Sequence, residues 1–271
     1  GSGFGGGIFN TGGAMALNKS TVSNNNSPTQ GGGIYNSSTV TLTNSTVSGN
    51  STPGSGGGIY NFANLTLNSS TVTNNTSVTN GGGIYNLGPA RLRSAIVAGN
   101  SNAFSPDCRG SFTSLGHNLI GNLGFQGDCT LSSATGDQVG TRTSPIDPKL
   151  GVLQDNSGAT FTHALQFLSP AIDAGTCEEA NGNTISVDQR NVTRPQGPTC
   201  DIGAYEAEIT QTVTRSDDPN LGACAANDCS LRDAIAAAGA GARIYLPPGK
   251  YFLKPGTELL INKNQLTLTG G

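Results

Sequence analysis

The first hundred residues repeat one short sequence block four times, and this repetition constrains the fold more than any other feature. The block is Gly-Gly-Gly-Ile followed by Phe or Tyr and Asn, and its copies begin 26, 25 and 25 residues apart, at Gly5, Gly31, Gly56 and Gly81. A second block, Ser-Thr-Val or Ala-Ile-Val, follows each copy. A fixed period of this length is typical of solenoids, because each unit buries its apolar side only by stacking on its neighbours.

Within one coil the sequence predicts three short strands. In the coil that begins at Gly31, Ile34 follows the glycines, Val40 and Leu42 alternate with threonines, and Val47 lies in the second block. Alternation with a period of two is typical of strands with one buried side. Each strand meets the same strand one coil later, so the pairing is parallel, and parallel crossovers are strongly right-handed. The predicted fold class is therefore all-β, a right-handed parallel β-helix with about 25 residues per coil.

Asparagines recur at two positions of successive coils. We expect their side-chain amides to hydrogen-bond from coil to coil, as in the amide ladders of cross-β stacks. Asparagine also tolerates the left-handed backbone that corners require, which is expected at Asn36, Asn44 and Asn50. The predicted ladders are Asn10, Asn36, Asn61 and Asn86 in one column, and Asn50, Asn75 and Asn100 in the other.

Composition excludes several classes of partner. The 271 residues have a net charge of −3 and only 11 % charged side chains, so there is no basic field to bind nucleic acid. No run of 18 apolar residues occurs, so we predict no membrane span. No cofactor is predicted either.

Six cysteines fall in three pairs that are close in sequence: Cys108 and Cys129, Cys177 and Cys200, and Cys224 and Cys229. None has the Cys-x-x-Cys spacing and the chain has only two histidines, so a zinc site is poorly supported. Local disulfides formed in an oxidising compartment explain the pattern better, and sequential pairing is inferred from proximity alone. The protein is therefore expected to be exported, and to be extracellular or attached to the cell surface.

After residue 104 five motifs stand in a fixed order. They are Asn-Leu-Ile-Gly at 118–121, Asp-Pro-Lys-Leu-Gly at 147–151, Ser-Pro-Ala-Ile-Asp-Ala-Gly at 169–175, Asp-Gln-Arg at 188–190 and Cys-Asp-Ile-Gly-Ala-Tyr-Glu at 200–206. This series resembles the C-terminal choice-of-anchor segment of bacterial surface and secreted β-helix proteins. The resemblance implies that residues 105–208 form irregular coils that end the solenoid, after the regular repeats of residues 1–104.

Residues 209–271 resemble a second module. Cys229-Ser230-Leu231-Arg232-Asp233-Ala234-Ile235 matches the CSLREA module, with aspartate where the module has glutamate. The resemblance implies a small cap with a short helix, and Ser230 is a suitable N-cap residue for it. In that family the module is N-terminal and its helix caps the first coil, so the order is inverted here.

Three explanations of this inverted order compete. The chain is circularly permuted or cut from a longer tandem chain, or the module folds back over its own first coil, or it presents its last strand to the first coil of another copy. We favour the third, because unpaired parallel edges invite strand addition and a head-to-tail contact propagates. The predicted assembly interface consists of Gly5 and Ile8 of one chain and Leu266 and Leu268 of the next.

The charged residues offer few candidates for catalysis or metal binding. Residues 1–106 contain no Asp or Glu, which argues against a lyase with Ca²⁺-binding carboxylates on the regular coils. His163 has no nucleophile motif near it and is interpreted as structural. Asp188, Arg190, Arg194, Asp201 and Glu206 are interpreted as ion pairs, with a carboxylate pair for glycoside hydrolysis as the alternative. Asp217, Asp218, Asn220 and Asp228 are interpreted as a polar loop and not as a Ca²⁺ site.

Aromatic residues at one position of the repeated block are expected to stack down one side of the solenoid, where a sugar ring could also stack. The possible ligand face consists of Phe9, Tyr35, Tyr60 and Tyr85. The preferred function is a non-enzymatic extracellular structural protein that binds further copies of itself head to tail in a filament or surface layer. The alternatives are a surface adhesin that binds polysaccharide along the aromatic or the threonine side, and a glycan-cleaving β-helix enzyme.

Overall fold

The computed structural model describes residues 3–166, 168–209, 211–219, 224, 228–238, 242–256, 258–261 and 266–270. The chain divides into two units. The larger unit consists of Gly1–Leu165, Ser169–Pro195 and Thr199–Glu206, and the smaller unit of Gln166–Leu168, Gln196–Pro198 and Ala207–Gly271. The predicted domains 1–104 and 105–208 thus lie mainly in one unit.

The larger unit is a parallel β-helix of about five coils, in which each coil adds one strand to each of three columns. The first column contains β1 (Ile8–Asn10), β4 (Ile34–Asn36), β8 (Ile59–Asn61), β12 (Ile84–Asn86) and β15 (Cys108–Ser114). The second contains β2 (Ala14–Asn18), β5 (Thr39–Thr43), β9 (Asn64–Asn68), β13 (Ala90–Arg93), β15 again, and β17 (Cys129–Ser132). The third contains β3 (Thr21–Ser23), β6 (Thr46–Ser48), β10 (Thr71–Thr73), β14 (Ile96–Val97), β16 (Leu119–Ile120) and β18 (Gln138–Val139). This confirms the predicted all-β solenoid with three short strands per coil.

Identical apolar residues lie above one another inside the coils. In the first column Ile34 pairs with Ile59, and Ile59 with Ile84, and all three are fully buried. In the other columns the same holds for Leu42 with Leu67 and for Val47 with Val72. Burial of each such side chain contributes roughly 1.5–3 kcal/mol, so the repeated pattern itself supplies the core.

The corners differ from the prediction in one respect. Asn44 is left-handed, with φ of 48°, and Lys19, Ser69 and Ser94 occupy the equivalent position of other coils with φ between 41° and 49°. Asn36 and Asn50 are not left-handed. Both side chains are fully buried and hydrogen-bonded to neighbouring coils. At these positions the side-chain amide of asparagine is required, and its tolerance of a left-handed backbone is not.

A fourth short strand also appears in two coils, β7 (Ser51–Thr52) paired with β11 (Thr76–Ser77). It precedes the glycine block, and the sequence analysis gave no strand there. Beyond β18 the chain leaves the coils and forms an antiparallel hairpin, β19 (Leu150–Gln154) with β20 (Thr162–Leu165).

We call the part of residues 150–206 that belongs to the larger unit the return segment, because it packs along the third column of the coils. The hydroxyl of Thr21 donates to the Phe161 carbonyl at 2.6 Å, and that of Thr46 to Gln189 Oε1 at 2.7 Å. The sequence analysis predicts irregular coils over 105–208, but among its described residues the structure has coil strands only as far as Val139. The difference arises because the hydroxyls of the Ser-Thr-Val block provide partners for a chain lying across the coils.

The disulfides join Cys108 to Cys129, Cys177 to Cys200 and Cys224 to Cys229, with Cα–Cα distances of 5.5, 5.5 and 4.5 Å. The first links β15 to β17 in adjacent coils. The second lies within the return segment, and the third lies within the smaller unit.

The smaller unit contains a parallel sheet in the order β21 (Gln211–Thr212), β22 (Arg243–Leu246) and β23 (Thr267–Gly270), together with helix α1 (Leu231–Ala237). Ser230 is the N-cap of α1, and its side chain accepts a hydrogen bond from the backbone N–H of Asp233. Ile235 of the helix and Ile244 of β22 are buried in its core. The predicted short helix and its cap are therefore present.

Candidate interaction surfaces

The aromatic residues predicted as a ligand face do form one column on the first strands. The ring centroids of Phe9 and Tyr35 lie 5.3 Å apart, those of Tyr35 and Tyr60 5.1 Å, and those of Tyr60 and Tyr85 5.2 Å. Tyr60 is only 7 % exposed. Its burial is the main cause that raises its pKa, and the neighbouring Tyr85 and Tyr35 raise it further. Since the ring faces contact one another, a sugar can reach mainly ring edges in the middle of the column. The column thus contributes first to coil stacking.

The first asparagine ladder runs through four coils. Asn10 donates its side-chain amide to Asn36 at 2.9 Å, Asn36 to Asn61 at 2.7 Å, and Asn61 to Asn86 at 2.6 Å. The last member, Asn86, donates to the backbone carbonyl of Ser111. All four side chains lie in the buried part of the corner, so each bond also satisfies a polar group that water does not reach.

The second ladder is longer than the sequence analysis expected. Asn50 donates to Asn75 and Asn75 to Asn100, each at 2.9 Å, while Asn25 donates to Asn50 at 3.0 Å. At the other end Asn100 donates both its side-chain amide and its backbone N–H to Asp107. Asn25 could have been found from its spacing, since it precedes a glycine block as Asn50 does. Asp107 could not, because the coil that contains it has lost the regular spacing.

Asp107 ends this ladder as a buried carboxylate. Burial raises its pKa from 3.8 to about 6, against the opposing effect of hydrogen bonds from Asn100 and from the backbone of Asn122. The carboxylate also lines a cavity of about 280 Å³, together with Asn122 and Asp147. The ladder is therefore neutral through most of its length and carries an ionisable group at one end.

This arrangement predicts a pH dependence of stability. Because the folded pKa of Asp107 lies above its ordinary value, the folded state holds more protons than the unfolded state between about pH 4 and pH 6. The contribution of Asp107 to the free energy of unfolding should therefore fall as pH rises through this window, by on the order of 3 kcal/mol, and stay constant above it. Urea unfolding of the wild type and of Asp107→Asn at several pH values measures the difference. Parallel pH profiles for the two proteins would contradict the prediction.

The charged residues at the end of the return segment form a buried ion cluster. Arg190 pairs with Asp188 at 2.8 Å, and Arg194 pairs with Glu206 at 3.1 Å. Asp201 lies in the same cluster and accepts a hydrogen bond from the backbone of Asp173. Their side chains are at most 3 % exposed in the two pairs, so no glycan can reach these carboxylates in this conformation.

The arginines of this cluster also bind the backbone. Arg194 donates to the carbonyls of Asp201 at 2.8 Å and of Gly203 at 2.6 Å, and the next residue, Ala204, donates its N–H to Thr71 of the coils. Burial lowers the pKa of Arg194, and the nearby carboxylates, first that of Glu206, act in the opposite direction. The cluster therefore fixes the shape of the segment that lies against the third column.

His163 is buried between the hairpin and the coils. Its Nδ1 lies 2.7 Å from the carbonyl oxygen of Gly151, and its Nε2 lies 2.8 Å from Oγ of Ser48. Burial lowers the pKa of His163, which favours the neutral ring, and in that form Nδ1–H donates to the carbonyl and Nε2 accepts from the hydroxyl. A serine and a histidine in this relation could act as nucleophile and base, but both side chains are buried. The pair holds the hairpin against the third column.

Three aspartates of the smaller unit are paired with arginines. Arg215 pairs with both Asp217 and Asp228, and Arg232 pairs with Asp218. Asn220, which the sequence analysis grouped with them, lies outside the described residues. Within the described part of the chain, no group of three or more His, Cys, Asp or Glu side chains is placed to bind a metal ion.

The second column presents an uncovered side, which we call the open face and define by its central row. Thr41 pairs with Thr66, Thr66 with Arg91, and Arg91 with Thr113, so these residues lie above one another in four successive coils. Their side chains point outward, since the alternating Leu42, Leu67 and Leu92 are buried. None of the four side chains has a hydrogen-bond or ion-pair partner among the residues that the structure describes.

Comparison with known proteins gives one match. The Chlamydia polymorphic membrane protein repeat matches residues 19–37, 44–61 and 69–87, each running from a third-column strand through the next glycine block to the first-column strand that follows. No curated protein and no solved structure matches the chain. The choice-of-anchor and CSLREA resemblances stay predictions from sequence motifs. The single helix over the described ranges is too short to cross a membrane.

Proposed function

We propose that this chain is a non-enzymatic extracellular structural protein that joins further copies head to tail, through the open edges of its strands, in a filament or surface layer. The observation that carries the proposal is that both sheet systems end in an outer strand whose apolar residues are incompletely buried. The three disulfides and the match to a bacterial membrane-protein repeat support a place outside the cytoplasm.

One such edge lies at the first coil. Strands β1, β2 and β3 are each the outermost strand of their column. Ile8 of β1 is partly exposed, whereas Ile34, its partner in the next coil, is fully buried. Gly5 lies at the same edge and donates its N–H to the carbonyl of Gln30, just before the second glycine block. Another coil stacked on this edge would complete both the backbone pairing and the apolar column.

The second edge lies at β23 of the smaller unit. Leu268 pairs in register with Ile244, but Ile244 is fully buried while Leu268 is 44 % exposed. Leu266, just before the strand, is partly buried. Each of these two outer strands has one side without a partner strand. The next coil of a solenoid would pair with the unpaired side of β23, and the previous coil would pair with the unpaired side of β1. The two edges are different, so a contact between them is heterologous, and such contacts propagate into a filament when the rotation between copies does not close a ring.

Leu268→Lys tests this proposal. A lysine in the apolar column of an edge strand opposes strand addition, so assembly should be lost while the monomer stays folded. Light scattering and negative-stain microscopy over a concentration series should show long rods for the wild type, and single particles for Leu268→Lys and for a chain lacking residues 261–271. Val152→Lys, at an exposed apolar position of the hairpin that lies outside both edges, is the control and should assemble normally. Single particles of the wild type at every concentration would refute the proposal.

A surface adhesin that binds polysaccharide is the second candidate. The match to the polymorphic membrane protein repeat favours it, as does the open face, whose polar side chains have no partner within the described chain. A glycan array probed with monomeric protein tests it directly. The third candidate, a glycan-cleaving enzyme, has less support because the carboxylates proposed for it are buried in ion pairs. Release of reducing ends that disappears in Asp188→Asn would favour the enzyme.

A further inference from the structure

We infer that the open face binds an extended acidic polysaccharide, with the Arg91 guanidinium on a carboxylate of the glycan and the hydroxyls of Thr41, Thr66 and Thr113 on its sugar hydroxyls. This inference rests on the adhesin candidate and places its ligand on the second column instead of the aromatic column. It follows from which sides of the coils are covered, from the chemistry of the uncovered side chains, and from the distribution of charge.

Among the described residues of the larger unit, the second column is the one whose outward central row has no side-chain partners. The third column lies under the return segment, whose contacts with Thr21, Thr46 and Thr71 use the outward hydroxyls of that column. On the first column the outward rings stack on one another, and the central ring is buried. On the second column the outward threonines of the central row make no such bonds.

The central row has the form of a site for a linear polymer. Successive coils lie about 4.8 Å apart, so its four side chains extend along the solenoid axis in a straight line. A threonine hydroxyl both donates and accepts, which suits sugar hydroxyls. The row contains no aromatic or large apolar side chain, whereas the central part of a protein–protein interface is normally enriched in them. A glycan lying along the axis therefore fits this row better than a folded protein does.

Charge selects the class of glycan. The coils formed by residues 1–106 contain no acidic residue, so none of their own side chains repels an anion. Of their three cations, Lys19 bonds to Asn191 and Arg93 pairs with Glu178 of the return segment, while Arg91 is exposed and has no partner among the described residues. Glu178 and Glu179 border the face beside Arg93 and Thr43, which are the next outward positions after Arg91 and Thr41 on their strands. A planar guanidinium binds a carboxylate through two parallel hydrogen bonds, which favours uronic acid units.

The experiment is calorimetric titration of the protein with polygalacturonate fragments and, separately, with neutral dextran fragments. We expect binding of the acidic glycan that weakens as salt is added. Arg91→Gln should weaken it about tenfold or more, since a hydrogen bond between charged groups is lost, and Thr66→Val should weaken it a few-fold. Arg142→Gln is the matched control, because Arg142 is an exposed arginine that lies over Phe125 outside the open face. Equal melting temperatures of the variants establish that they are folded.

The outcomes separate this inference from the candidate function on which it rests. Binding of acidic glycan that is unchanged in both Arg91→Gln and Thr66→Val overturns the inference, while the adhesin candidate survives with another site. Equal affinity for dextran overturns the choice of an acidic ligand. If the glycan array and both titrations show no binding, the inference and the adhesin candidate are both wrong.

Discussion

Replacement of Arg194 by methionine is expected to lower the free energy of unfolding of the larger unit by about 3–5 kcal/mol. The side chains of Arg194 and of its partner Glu206 are both completely buried. The substitution leaves the Glu206 carboxylate without its cation, and it removes the donors to the carbonyls of Asp201 and Gly203. Leaving a buried charge unpaired is much more costly than losing an exposed ion pair. Chemical unfolding followed by circular dichroism measures the change.

Two further variants identify the cause of this effect. Arg91→Met removes an exposed arginine without a partner among the described residues and should change stability by no more than about 0.5 kcal/mol. The double variant Arg194→Met with Glu206→Leu removes both members of this pair and should be less destabilised than Arg194→Met alone, since Glu206 no longer remains as a buried charge without Arg194. A double variant as unstable as the sum of the two single variants would show that packing, and not charge, dominates at this site.

Gly57→Ala is expected to lower the free energy of unfolding by about 3 kcal/mol for a different reason. A Cβ atom at this position would lie 2.4 Å from the carbonyl oxygen of Gly82 in the next coil and 2.5 Å from that of Thr76, in the segment that leads into that coil. Neither obstacle is a side chain that can rotate away, so the coils must separate locally. Gly57 does not have a positive φ, so the loss comes from the close approach of two backbones and not from an unusual conformation.

Gly12→Ala is the matched control for this prediction. A Cβ atom at Gly12 would meet no atom within 4 Å, so the substitution should be nearly neutral. Thermal unfolding of the two variants beside the wild type provides the comparison. Similar melting temperatures for Gly57→Ala and Gly12→Ala would mean that the coils are not packed as closely as the structure shows.

The sequence was sufficient to predict the regular coils because every coil repeats the same residue types at the same positions. The period of about 25 residues identifies the coil, the alternation at Val40 and Leu42 identifies a strand with one buried side, and the spacing of Asn50 and Asn75 identifies a ladder. Each of these inferences concerns a residue and the equivalent residue one coil later. The period of the repeat therefore predicts which two residues are in contact. Ser230 and the helix that follows it were equally predictable, because an N-cap is a local feature.

The return segment could not be predicted in the same way. Gln189 bonds to Thr46, and His163 to Ser48, across more than a hundred residues and without any repeat to give the register. The motif that contains Gln189 indicated a further coil, whereas in the structure this residue lies in a segment that covers existing coils. The same covering decides which threonines are accessible, so it also decides where a ligand can bind.

The sequence by itself therefore determined the solenoid, its buried columns and its asparagine ladders, because stacking places identical residues in contact whenever the period is constant. Only the tertiary structure decided that the third column is covered, that the tyrosine rings contact one another, and that Arg91 lies on an open row with Thr66. These features depend on segments that meet across long separations in the chain. Local periodicity contains no information about such contacts, since their register is set by the packing of whole elements.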